Sequence, residues 1–185
     1  MNLTENIIIA AISGDLKAYE KIYQAFAPFV FNVALRIIRN RSDAEDLVQE
    51  LFVKLFYKLR FFKREAKLKT YVYRMAVNMS LNMLKKKNRE HRRHVTLSKV
   101  ENFISIKDSN STASIQKEIV ELAISHLPQK YRVCFILRQL EGCSYNEIAN
   151  ILNININTVK SRLARARQYF LVELETVKKE VGYEM

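Results

Sequence analysis

Apolar residues recur at helical spacing through most of the chain. Over 15–40 they fall at Ala18, Ile22, Ala25, Phe26, Phe29 and Val33, one face of a helix that turns about 100° per residue. Asp15, after Gly14, is suited to cap it, and Pro28 to bend it. A second stripe runs Leu47, Val48, Leu51, Phe52, Leu55 and Leu59. Ser42, with Glu45 three places on, predicts a capping box at its start. Residues 63–69 read as a loop or short helix, and 70–93 as a long helix, apolar early and cationic late. Residues 95–113 are rich in Ser, Thr and Asn and read as a linker. Its apolar members Val100, Phe103, Ile104 and Ile106 suit a groove on a partner. Helical spacing returns over 115–125. Pro128 then opens a helix that stops at Gly142, and two more follow. The predicted fold class is all-α: two small helical domains, 1–94 and 114–185, joined by a flexible linker over 95–113.

Composition narrows this further. A chain of 185 residues that is 49% hydrophobic, with three Gly and two Pro, is neither disordered nor turn-rich all-β. Cys134 and Cys143 are too few for a disulfide scaffold. Cys134 lies in the apolar run 133–137 and reads as core. Its spacing from Cys143 and His126 is not that of a zinc finger, so no metal and no cofactor are expected. The longest apolar run, 7–12, is far short of the ~20 residues of a membrane helix. No charged-then-apolar leader opens the chain. A cytoplasmic protein without membrane insertion of its own is expected.

Charge supplies the first functional clue. The net charge is +12, and residues 58–94 hold thirteen basic side chains against two acidic ones. Such a concentration attracts polyanions, because neutralised phosphates release their counterions. Within it Phe61, Phe62, Tyr71 and Tyr73 interleave with Lys63, Arg64, Lys67, Lys69 and Arg74. Cations among flat rings suit single-stranded nucleic acid, where bases stack and phosphates pair. Phe61 and Phe62 are assigned to the core; Tyr71 and Tyr73 are the open pair. Asn78 and Asn82 can meet base edges, and Lys85, Lys86, Lys87, Arg89, Arg92 and Arg93 can hold phosphates. By contrast Asp43, Asp46, Glu50 and Tyr57 share one edge of the helix from 43. An acidic edge on a basic protein suits a partner protein with a basic surface, although Asp43 and Glu45 also suit the helix dipole.

Residues 144–170 have helix-turn-helix spacing. Ser144 and Glu147 form a capping box, Asn153 takes the turn position where positive φ is needed, and Asn155 caps the next helix. Ile156, Val159, Leu163, Ala166 and Phe170 fall inward. Asn157, Thr158, Ser161, Ala164 and Arg165 fall opposite, flanked by Lys160 and Arg162. Short polar side chains among cations are what a helix reading a DNA groove requires. An ordinary amphipathic hairpin shares the spacing.

Together these residues resemble a family. DAEDLVQELF at 43–52 is similar to the polymerase-binding helix of sigma-70 family initiation factors. TYVYRMAVN at 70–78 resembles their promoter-melting and −10 segment. Leu127 and Pro128, GCSYNEIA at 142–149 and TVKSR at 158–162 resemble their −35-binding domain. The order matches, and the absence of an intervening domain looks like the extracytoplasmic function (ECF) subgroup. The resemblance implies a protein that binds core RNA polymerase, directs it to promoter DNA and opens the duplex, with the linker threading toward the polymerase active site. It implies polymerase contacts at Asp43, Asp46, Gln49 and Glu50. It implies −10 contacts at Lys67, Lys69, Tyr71, Tyr73, Arg74, Asn78, Asn82, Lys85, Lys86 and Arg89, with an unstacked base near Asn78. It implies −35 contacts at Asn157, Thr158, Lys160, Ser161, Arg162 and Arg165. It also implies an anti-sigma factor as a partner, and no catalysis by the chain itself. Many members carry Trp where this chain has Tyr71; a tyrosine ring can still stack. The alternatives are a stand-alone helix-turn-helix regulator, which binds DNA without polymerase, and an RNA chaperone without sequence preference.

Overall fold

The computed structural model describes residues 3–62, 67–93 and 112–182, all helix and short connections. The linker segment 95–111 and the cations Lys63 and Arg64 lie outside them. The helices fall into two compact units. The first contains α1 (Glu5–Ile12), α2 (Leu16–Ile38), α3 (Arg41–Leu59) and α4 (Leu68–Arg93). The second contains α5 (Thr112–His126), α6 (Gln129–Phe135), a π-helical turn (Ile136–Leu140), α7 (Tyr145–Leu152) and α8 (Ile156–Val181). The all-α class is as expected, and α5 starts three residues before the expected Ile115.

In the first unit, α2 packs on α1, α3 and α4. Asp15 caps α2 by accepting from the backbone N–H groups of Lys17 and Ala18 at 2.8 and 3.1 Å. Pro28 lies inside the helix. The start of α3 differs from expectation. Ser42 already lies in its first turn, and the cap is Asn40, which accepts from Asp43 N–H at 2.9 Å. Arg39, at φ 66° in the left-handed region, turns the chain so sharply that Asn40 reaches this place. Glu45 pairs with Arg41 instead. Ile22, Ile37, Leu47, Leu51 and Leu55 are fully enclosed, each contributing about 1.5–3 kcal/mol by leaving water.

An aromatic seam closes α2 on α3. Tyr19 meets Phe56 edge-on at 5.0 Å, Tyr23 meets Phe52 at 4.6 Å, and the Tyr19 hydroxyl donates to the Phe52 carbonyl. Burial pushes the Tyr19 phenol up from 10 to about 12, against a smaller downward pull from a Phe56 backbone hydrogen bond. The folded state therefore holds this proton more tightly than the unfolded chain. The stability it contributes is complete below pH 10 and is lost as the pH rises toward 12. Denaturant midpoints compared at about pH 9 and about pH 11.5 should fall more for the wild type than for Tyr19→Phe. Equal falls would contradict the assignment.

In the second unit α8 packs against α5, α6 and α7. Ser144 and Glu147 form the expected capping box, at 2.8 and 3.2 Å. Asn153 sits at φ 52°, and Asn155 caps α8 by accepting from Asn157 N–H at 2.8 Å. Gly142 lies at φ 65°, where a Cβ would be strained. The stretch before it does not continue as α-helix. It widens into the π-helical turn, with Glu141 N–H on the Ile136 carbonyl at 3.2 Å. Cys134 is buried, as expected of a core thiol.

Candidate nucleic-acid interface

In α4 the buried residues Leu68, Val72, Ala76 and Val77 occupy one side. Opposite them Lys67, Arg74, Asn78, Asn82, Lys85 and Arg89 are exposed, and Tyr71 is half-buried. At 100° per residue these seven lie within a band about 80° wide, and at 1.5 Å per residue they extend about 33 Å. Lys86, also exposed, borders the band. Tyr71 leans on Phe62 at 5.3 Å, which limits its swing while leaving ring surface open. Cations for phosphates, amides for base edges and one ring for stacking thus share one uninterrupted helical face.

Two residues expected on this face are elsewhere. The Tyr73 ring is 6% exposed and stacks on Phe29 at 3.4 Å with planes 8° apart. It is core, and offers no platform to a base. Lys69 lies over the outer side of Tyr73, at 5.2 Å from the ring centre, about 180° around the helix from Asn78. The assignment of Phe61 to the core is also corrected: it is 70% exposed, with Arg60 at 4.7 Å from its ring. α3 ends at Leu59, so Phe61 falls beyond the last turn that packs inward. Phe62 is half-buried against the core.

The acidic edge of α3 is partly internal. Asp43 faces α4, where Lys87 pairs with it. Asp46, Gln49 and Glu50 are exposed, and Glu50 pairs with Lys54 on its own helix. Val53 and Tyr57 continue the same edge, 58% and 62% exposed. The sequence pattern places Tyr57 on that edge, and the 46, 50, 53, 57 spacing contains Val53 as well. The surface is thus acidic at one end and apolar at the other. A partner protein that is both basic and apolar fits it.

On α8 Val159, Leu163 and Ala166 are buried, while Asn157, Lys160, Ser161, Ala164 and Arg165 are exposed. Thr158 is half-buried, and Ser161 donates to its carbonyl at 3.0 Å. Arg162 is half-buried at the border of the inward face. Burial pushes the Cys134 thiol up, and the neighbouring Arg162 guanidinium partly offsets this. The helix therefore presents a short polar face with cations at its edges, its first turn capped and exposed. Among the described residues no group of three or more His, Cys, Asp or Glu is placed to hold a metal ion, and no helix is long and apolar enough to cross a membrane.

Known proteins share this organisation. Residues 22–90 match the family Sigma-70 region 2, and residues 117–169 match Sigma-70, region 4. The chain is 31% identical over 176 residues to the ECF RNA polymerase sigma-E factor of Escherichia coli, covering 90% of this chain and 92% of that one. It is 30% identical over 176 residues to the factor of the same name from Haemophilus influenzae, covering 90% and 93%. Among solved structures it is similar to the sigma factor RpoE of Bartonella quintana, determined with the anti-sigma factor NepR. There the TM-score is 0.71 at 25% identity, over 86% of this chain and 98% of that one. Full-length similarity to polymerase subunits does not favour a stand-alone regulator. The chain belongs to the sigma-70 family, as an ECF-type sigma factor that directs RNA polymerase to promoters.

Proposed function

We propose that three surfaces divide the work of initiation. Asp46, Gln49 and Glu50, extended by Val53 and Tyr57, dock on core polymerase, with Asp43 at the border of that surface. The α4 stripe of Lys67, Tyr71, Arg74, Asn78, Asn82, Lys85, Lys86 and Arg89 takes the −10 element as it opens, Tyr71 stacking and the asparagines meeting a base edge. Asn157, Thr158, Lys160, Ser161, Arg162 and Arg165 engage the −35 major groove, the cations on phosphates and the small polar side chains on bases. Domain limits of 1–94 and 114–185, with 95–113 between them, fit these roles. The chain breaks no covalent bond; its binding free energy favours the open strands, and polymerase does the chemistry. It works in the cytoplasm beside polymerase, restrained by an anti-sigma protein, as its Bartonella relative binds one.

The observation that carries this reading is the α4 stripe, in which seven side chains suited to single-stranded DNA stand in one row with Lys86 at its border. Replacing Lys85, Lys86 and Arg89 by Ala tests it in the holoenzyme. The loss should be uniform across promoter sequences, and the slope of log affinity against log salt should flatten by about two to three. An unchanged slope would remove these residues from the DNA.

A further inference from the structure

The end of α6 that begins beside Pro128 holds a side chain that neither the helix-turn-helix spacing nor the charge pattern singles out. Tyr131 is 6% exposed. Its ring stacks on Tyr169 of α8 at 5.3 Å with planes 22° apart, and Lys130 lies 4.9 Å from the ring centre. Its hydroxyl accepts a hydrogen bond from Nη1 of Arg165 at 3.3 Å. Arg165 is four residues, about one turn, before Tyr169. The ring is thus fixed against α8 at one point while its oxygen holds a side chain one turn away.

We propose that Tyr131 is a positioning residue for sequence reading: by holding one N–H of Arg165, it aims the rest of the guanidinium at a single base pair of the −35 element. The inference rests on α8 being the −35 recognition helix. An arginine on an exposed helix face samples many rotamers, and ordering them opposes each contact it makes. A buried, stacked phenol removes much of that freedom before DNA arrives, the benefit of preorganisation. The guanidinium has five N–H groups, so one spent on Tyr131 leaves a fork for the paired acceptors of a guanine. The electrostatics agree. The Arg165 hydrogen bond, then Lys130, hold the Tyr131 phenol below its ordinary range against the opposing effect of burial, the direction expected of an oxygen that accepts from cations. Without that oxygen Arg165 keeps its charge and turns to the nearer phosphates. Affinity then persists while choice of sequence is lost.

The test uses holoenzyme assembled from the full chain and core polymerase, with promoter fragments bearing every single substitution in the −35 element. Binding is measured for the wild type, Tyr131→Phe, Arg165→Ala and the double variant, with thermal midpoints as a check on folding. Arg165→Ala should relax discrimination at one position by about tenfold. Tyr131→Phe, which keeps the ring stack, should relax the same position by roughly threefold to tenfold and leave the others as they were. In the Arg165→Ala background it should add nothing, since the two act as one unit. Full discrimination by Tyr131→Phe at the position that Arg165→Ala relaxes, or a uniform loss at every position, would overturn the proposal. If Arg165→Ala relaxes no position, Arg165 does not read a base. That failure belongs to the −35 assignment of Arg165 and ends the inference with it.

Discussion

Reversing charge at Asp46 and Glu50 together, to Lys, should weaken binding to core polymerase by at least about 100-fold while leaving the fold intact. Both side chains are exposed on α3. Two reversals there set like charges against a basic partner, which costs several kcal/mol in a docked interface. The cost to the fold is far smaller. Glu50 contributes one exposed pair with Lys54, worth about 0.2–1 kcal/mol, and repulsion between the introduced lysine and Lys54 is of similar size. No buried group is disturbed, because Leu47, Val48 and Leu51 face the other way. Circular dichroism and the thermal midpoint should match the wild type. Unchanged polymerase affinity would remove this edge from the interface.

Shortening Leu163 to Ala should strongly destabilise the second unit. Leu163 is 1% exposed, on the inward face of α8 with Val159 and Ala166. Removing it forfeits transfer free energy and leaves a cavity, about 2–5 kcal/mol in total. Small domains have only about 5–15 kcal/mol in all, so the α5–α8 unit should melt at a distinctly lower temperature. The recognition face would lose its support, although Asn157, Ser161 and Arg165 are untouched. The check is thermal unfolding of the full chain together with footprinting of the −35 element. Unfolding that shifts by less than about 1 kcal/mol would show that the unit does not depend on this layer.

The elements and caps were legible where the signal is local. Asp15, Ser144 with Glu147, Asn153 and Asn155 each act through the backbone within four residues, so a short stretch contains the whole interaction. The inward stripe of α8 was legible because its period is that of the helix. What escaped depends on partners distant in sequence. Tyr73 and Tyr71 are two residues apart and chemically alike; Tyr73 is core, stacked on Phe29 forty-four residues earlier, a partner that local sequence does not show. Asn40 takes the capping role from Ser42 because Arg39 adopts a left-handed turn, which nothing in an arginine announces. Lys87 reads as one more phosphate-binding cation until α3 places Asp43 against it. Tyr131 carries no motif at all; its role emerges only where α6 and α8 meet.

The most direct measurement is run-off transcription with core RNA polymerase on a promoter library, start sites mapped with and without the chain, beside footprinting by the chain alone. Expected is a narrow set of start sites, all requiring the chain, sharing two elements near −35 and −10. The free chain should leave those elements unprotected at moderate salt, where its nonspecific affinity is suppressed. Sequence-specific protection by the free chain, with start sites unaltered by its addition, would contradict the assignment of these surfaces to a polymerase-borne promoter reader.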